Sequence, residues 1–106
     1  MKPHDFDAIV NRRMQLICSI LMSKAREYAS DSDRLHNFKV AARLDNETPE
    51  KALWGMLKKH LVSVRDMVHQ LDNDSIVDIG MWDEKLGDFI NYLILLEGLV
   101  NERKGK

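Results

Sequence analysis

Apolar residues return every three or four positions through most of this chain, and no comparable stretch alternates apolar with polar as a half-buried strand would. That period commits the chain to helices. Phe6, Val10, Met14, Ile17, Leu21 and Tyr28 place a first helix over about residues 5–29. Residues 30–37 then interrupt it, because the short polar side chains of Ser30, Asp31, Ser32, Asp33 and Asn37 compete for backbone hydrogen bonds. Residues 38–44 form a short second helix that Asp45-Asn46-Glu47 ends. Thr48-Pro49-Glu50 is the sharpest punctuation: a capping hydroxyl, a proline at the first helical position and an acid at the positive end of the dipole. From there Ala52, Leu53, Met56, Leu57, Leu61, Val64 and Val68 carry a third helix to about Gln70. After the polar run 72–75, Trp82, Leu86, Phe89, Ile90, Leu93 and Leu96 share a broad face on a last helix over about residues 83–102. Residues 75–80 read as loop or an extra turn, and the polar tail frays from about residue 102.

Three long helices and one short one bury their stripes only by packing together, so the expected fold is all-α, a compact helical bundle. With 106 residues, 44% of them hydrophobic, there is apolar material for one modest core, hence a single domain over residues 1–106. Trp82, Phe89, Ile90 and Leu93 are expected in that core. The wide apolar arcs of the first and last helices exceed what so short a chain covers, which predicts self-association, as a dimer. Lysine and arginine number 16 against 17 aspartate and glutamate, for a net charge of -1, so no positive field points to nucleic acid. No apolar run is long enough to cross a bilayer, and none resembles a signal peptide. Cys18, the single cysteine, lies in an apolar stretch and is expected to pack as a small hydrophobe. A cytoplasmic setting is the expectation.

Chemistry concentrates on the last helix. Glu84, Asp88 and Asn91, four and three positions apart, fall along one side. Hard oxygen ligands of this kind suit Mg²⁺, which keeps several waters and binds substrate phosphates; a solvated acidic face is the plainer account. The preceding helix offers Asp66 as a third carboxylate, with Lys58 and Arg65 to hold a carboxylate or a phosphate, or else to form ordinary interhelical ion pairs. At the end of the first helix, Glu27 is a further metal oxygen and Arg34 a further phosphate ligand, in a cluster that equally fits a capped loop. His60, among Leu57, Leu61 and Val64, reads as a core-edge histidine. HExxH and CxxC are absent, so there is no zinc case, and His36 stands where a calcium loop beginning at Asp31 needs glycine.

Four segments together, Lys24-Ala25-Arg26-Glu27-Tyr28, Asp33-Arg34-Leu35-His36-Asn37-Phe38, Leu53-Trp54-Gly55-Met56-Leu57-Lys58-Lys59-His60 and Glu84-Lys85-Leu86-Gly87-Asp88-Phe89-Ile90-Asn91-Tyr92, resemble small phage or prophage proteins related to the all-α nucleoside triphosphate pyrophosphatases, the MazG-like and dUTPase-like families. The resemblance covers roughly residues 10–100 and is strongest at the start of the last helix. It implies an oligomeric helical core with Mg²⁺ on paired carboxylates, cleaving a nucleoside triphosphate between its α and β phosphates. On this chain Glu84, Asp88 and Asp66 become the catalytic metal ligands, with Glu27 a looser one, and Lys58, Arg65, Arg34 and Asn91 the substrate contacts. The family's first acidic pair has no counterpart, since Lys58 and Lys59 stand where acids are expected. A second expectation follows from that departure: a catalytically silent phage-related protein that binds a host protein or a nucleotide.

Overall fold

Helix α1 (Pro3–Tyr28), α2 (His36–Leu44), α3 (Pro49–Gln70) and α4 (Ile79–Lys104) make up the architecture, with no strand among the described residues. The computed structural model describes residues 1–28, 33–73 and 76–105, and the side chains of 24–28 lie outside that description. The expected all-α bundle of three long helices and a short one is therefore what the chain adopts.

Local chemistry sets the boundaries. Thr48 is extended, at φ −78° and ψ 153°, and its hydroxyl accepts from the Lys51 amide at 3.2 Å while Pro49 opens α3. Helix α2 closes in a Schellman turn: the Glu47 amide donates to the Ala42 carbonyl at 2.9 Å, the Asn46 amide to Arg43 at 3.4 Å, and Asn46 takes φ 53°. Helix α4 starts four residues before the expected residue 83, because Asp78 caps it by accepting from the Met81 amide at 3.1 Å. At the other end it runs to Lys104, two residues past the expected end, with Arg103 and Lys104 at the negative end of the dipole.

The core sits where α2 lies across the α3–α4 pair. Leu53, Leu57, Leu99 and Phe38 are buried there, with Leu35, Met56, Phe89, Tyr92, Leu95 and Leu96 packed around them. Trp82, Phe89 and Ile90 are half-buried. Leu93, expected in the core, is 42% exposed, because neither α1 nor α3 covers that part of α4's apolar arc, which also carries Val100. Helix α1 packs on α4 more narrowly than α4 packs on α3. Ile17 is its buried residue, whereas Phe6, Val10 and Met14 of the expected stripe face outward. Cys18 is exposed as well, against expectation: one position past Ile17, it is turned about 100° away from the seam. The molecule is correspondingly long, 46 × 28 × 25 Å with a radius of gyration of 16.3 Å, against ~13 Å for a compact domain of this size.

Candidate functional site

A three-residue clamp joins α1 to α4. Arg12 donates to both carboxylate oxygens of Asp83, through Nη1 at 2.9 Å and through Nη2. Arg13 adds Nη1 to the Asp83 carbonyl and Nη2 to its Oδ1, both at 3.2 Å. The hydrogen bond from Arg12, aided by the charges of both arginines, holds the Asp83 carboxyl below its ordinary range despite some desolvation. Gly87, one helical turn on, is what lets Arg13 come so close: a Cβ there would stand 3.1 Å from Arg13 Nη1.

Beside the clamp runs the acidic stripe. Glu84 is exposed and Asp88 half-buried, and among the described residues neither makes an ion pair or hydrogen bond. Asn91, one turn further, is 6% exposed, and its Oδ1 is buried without a hydrogen-bond partner. Such an orphaned acceptor costs about 1–3 kcal/mol and calls for an explanation. On the helix surface Asp88 and Asn91 lie between Gly87, which meets Arg13 of α1, and Tyr92, which meets α3. Tyr92 stacks obliquely on His60, ring centroids 4.8 Å apart, and meets Phe38 edge-on at 6.2 Å. Burial first, and then the negative charge of Asp88, push the Tyr92 hydroxyl above its ordinary pKa. His60 is thus the core-edge residue its neighbours indicate.

The remaining expected residues are not gathered here. Asp66 is exposed, its one described partner being Arg65 of the same helix at 3.8 Å. No group of three histidine, cysteine, aspartate or glutamate side chains able to hold a metal occurs among the described residues. Lys58 and Arg65 are exposed on a side of α3 away from His60, since two residues along a helix reverse the direction of a side chain. Arg34 instead reaches back onto the body of α1, Nη2 donating to the Leu21 carbonyl at 2.6 Å. Glu27 falls outside the described side chains.

Arg13 is the cation that sequence reasoning missed; the signal for it was Gly87, a helix-weakening residue between two acids. Also missed was a second polar centre at the far end of α4. Lys39 bridges Asp33 at 2.7 Å and Glu102 at 2.5 Å, and Arg103 grips Glu50 through Nε and Nη2. These contacts hold the Asp33 and Glu50 carboxyls below their ordinary values, in each case chiefly through the side-chain hydrogen bond. They border a cleft of about 390 Å³ lined by Lys39, Pro49, Glu50, Leu99, Glu102 and Arg103. Its cations are engaged by its own acids, so it lacks the surplus charge that a phosphate needs.

Fold and site together define an all-α bundle whose last helix carries two carboxylates, Glu84 and Asp88, and a buried amide oxygen, Asn91 Oδ1, without a partner among the described residues. Compared with protein-family models, with curated proteins and with solved structures, the chain has no match in any of the three.

Proposed function

We propose that this chain is a Mg²⁺-dependent nucleoside triphosphate pyrophosphohydrolase acting in the cytoplasm as a self-associated form. The observation that carries the reading is the contrast along α4. Asp83 and Glu102 are spent on cations from other helices, whereas among the described residues Glu84 and Asp88 have no such partner and the buried Asn91 Oδ1 beside them has no donor. The donor set fits the ion: Glu84, Asp88 and Asn91 Oδ1 are hard oxygens, and Mg²⁺ needs only one or two carboxylates when substrate phosphates and water complete its shell. Mg²⁺ held by these oxygens would supply electrophilic stabilisation and charge neutralisation to the phosphates. Asp88 orients a water and takes up its proton as the water oxygen bonds to the α phosphorus. The bond from that phosphorus to the bridging oxygen breaks, and pyrophosphate leaves. Arg13, whose guanidinium overlies Gly87, stands nearer this chemistry than Lys58, Arg65 or Arg34 and offsets the charge that develops.

The test is calorimetric titration of wild type and Asp88→Asn with Mg²⁺ across a panel of nucleoside triphosphates, followed by assay for monophosphate and pyrophosphate. Metal-dependent binding and products, both lost in the variant, are the expected result. Binding without products in the wild type selects the second reading, a silent nucleotide-binding or host-protein-binding scaffold, which the lack of a three-ligand cluster among the described residues favours. Neither signal from a folded wild type refutes the nucleotide reading altogether.

A further inference from the structure

The seam between α3 and α4 has two sides, and α2 covers one of them. Phe38 of α2 packs with Leu53, Leu57 and Leu99 and meets Tyr92 edge-on, which fixes the covered side. Glu50 meets Arg103 and His60 meets Tyr92, so α3 and α4 are antiparallel. At about 100° per residue, direction on α3 turns from Leu53 through Leu57 to Trp54 and Leu61. On α4 it turns from Tyr92 through Leu96 to Leu93 and Val100. Both turns start at α2, cross the seam and end on its uncovered side. The antiparallel pairing brings Trp54 level with Val100, and Leu61 with Leu93, to within one helical turn. These four side chains are between 42% and 50% exposed, and they form the two walls of one apolar groove.

The crest of α3 above this groove is cationic. Lys51, Lys58 and Arg65 recur every seven residues, about 10.5 Å along the axis, beside Trp54, Leu61 and Val68 at the same interval. All three cations are exposed; Lys51 and Lys58 form no ion pair among the described residues, and Arg65 has only Asp66 of its own helix, at 3.8 Å.

We propose that this groove receives an acidic amphipathic helix of another protein, its apolar face between the two walls and its carboxylates along Lys51, Lys58 and Arg65. Charge and shape select that occupant. A row of unspent cations in a chain of net charge -1 calls for an anionic partner. A flat anionic bilayer or the backbone of duplex DNA would meet the crest of α3 and leave the apolar flank in water. A helix lies along the flank instead, and its side chains come round on one face every seven residues, the interval of both rows. A second copy of this chain would bring the same cations to the contact, where like charges repel. Asp88, four residues before Tyr92, is on the α2 side of α4, so the groove and the proposed metal site occupy different faces and the inference is independent of the hydrolytic reading.

The probe is a fluorescently labelled three-heptad peptide with leucine at positions a and d and glutamate at e and g, titrated with the full chain and followed by anisotropy. A counterpart with lysine at e and g runs beside it. The glutamate peptide should bind saturably and the lysine peptide should not, with Trp54→Ala and Lys58→Glu each weakening binding about tenfold or more. Lys58→Glu combined with Arg65→Glu should reverse the preference, which a loss of packing alone does not do. Helicity by circular dichroism should be unchanged, since the replaced side chains are exposed. Should Trp54→Ala lose helicity, Leu93→Gln on the other wall replaces it. No saturable binding of the glutamate peptide to folded wild type overturns the proposal, as does binding indifferent to Lys58 or to the apolar walls. Phosphatidylserine vesicles and duplex DNA are titrated in parallel, and the mass is followed by sedimentation equilibrium. Binding of either in place of the peptide, or a doubled mass that Trp54→Ala abolishes, gives the face to another occupant and equally overturns it.

Discussion

Two leucines on neighbouring helices read alike in sequence and differ sharply in structure, and Leu57→Ala against Leu93→Ala measures that difference. Leu57 is 1% exposed inside the α2–α3–α4 core, while Leu93 is 42% exposed on α4. Truncation to alanine removes the equivalent of three methylene groups, worth about 2.4 kcal/mol of transfer free energy when fully buried, and the unrelaxed cavity raises the total to about 3–5 kcal/mol. At Leu93 little more than half of that transfer term applies and no enclosed cavity forms, so the cost is about 1 kcal/mol. Domains of this size are stable by only about 5–15 kcal/mol, so Leu57→Ala consumes a large share. The assay is urea denaturation followed by far-ultraviolet circular dichroism at one fixed protein concentration, which keeps any contribution from self-association constant. Equal costs, or a larger cost at Leu93, refute the placement of the core around α3.

Acid should loosen α1 before the rest of the bundle. The Asp83 carboxyl is held low by Arg12, so its contribution to stability is complete above its unfolded pKa and is lost as pH falls through the depressed folded value. Amide exchange in α1 should accelerate in that acid window, and Asp83→Asn should abolish the dependence; a flat profile in the wild type rejects the clamp. Gly55→Ala should stabilise α3 by up to about 1 kcal/mol, since a Cβ at Gly55 meets nothing within 4 Å and Gly55 is not at positive φ, so the backbone entropy of glycine is lost without any packing return. A lower midpoint in thermal melts of Gly55→Ala would contradict it.

Much of the fold was legible because it is written in local chemistry. Thr48-Pro49 fixed the start of α3 and periodicity its length, since cap and stripe are properties of a few neighbouring residues. The early start of α4 was less visible: its cap, Asp78, precedes Ile79-Gly80-Met81, which shows no helical period of its own. Burial was the least legible. The stripe of α1 predicts an apolar contact but not with what, and only assembly shows that Phe6, Ile9 and Val10 of its first half stay exposed. The same holds for the site. Glu84, Asp88 and Asn91 share a face because helix geometry demands it, whereas Asp66, Lys58 and Arg65 depended on how α3 is rotated, which spacing within one helix does not determine.

Asn91 decides between a flaw in packing and a working part. Its side chain has the same heavy-atom count and branch point as leucine, so Asn91→Leu keeps the outline, with somewhat more bulk, while deleting the orphaned acceptor. Replacing a buried unsatisfied polar group with an apolar one of similar shape is neutral or stabilising, and relief of the desolvation penalty is worth about 1–3 kcal/mol. Asn91→Leu should therefore be more stable than the wild type in urea, the opposite of nearly every other polar-to-apolar change at a functional position. If the amide oxygen completes the ligand set of Glu84 and Asp88, the same variant should lose Mg²⁺-dependent nucleotide binding in the calorimeter. Gain of stability with loss of binding is the signature of a residue kept for function at a cost to the fold. Gain of stability with binding intact reduces Asn91 to a packing defect and strips the acidic pair of its buried neighbour. Loss of stability shows that the amide has a partner in solution, and the contrast along α4 that supports the hydrolytic reading then fails at its first step.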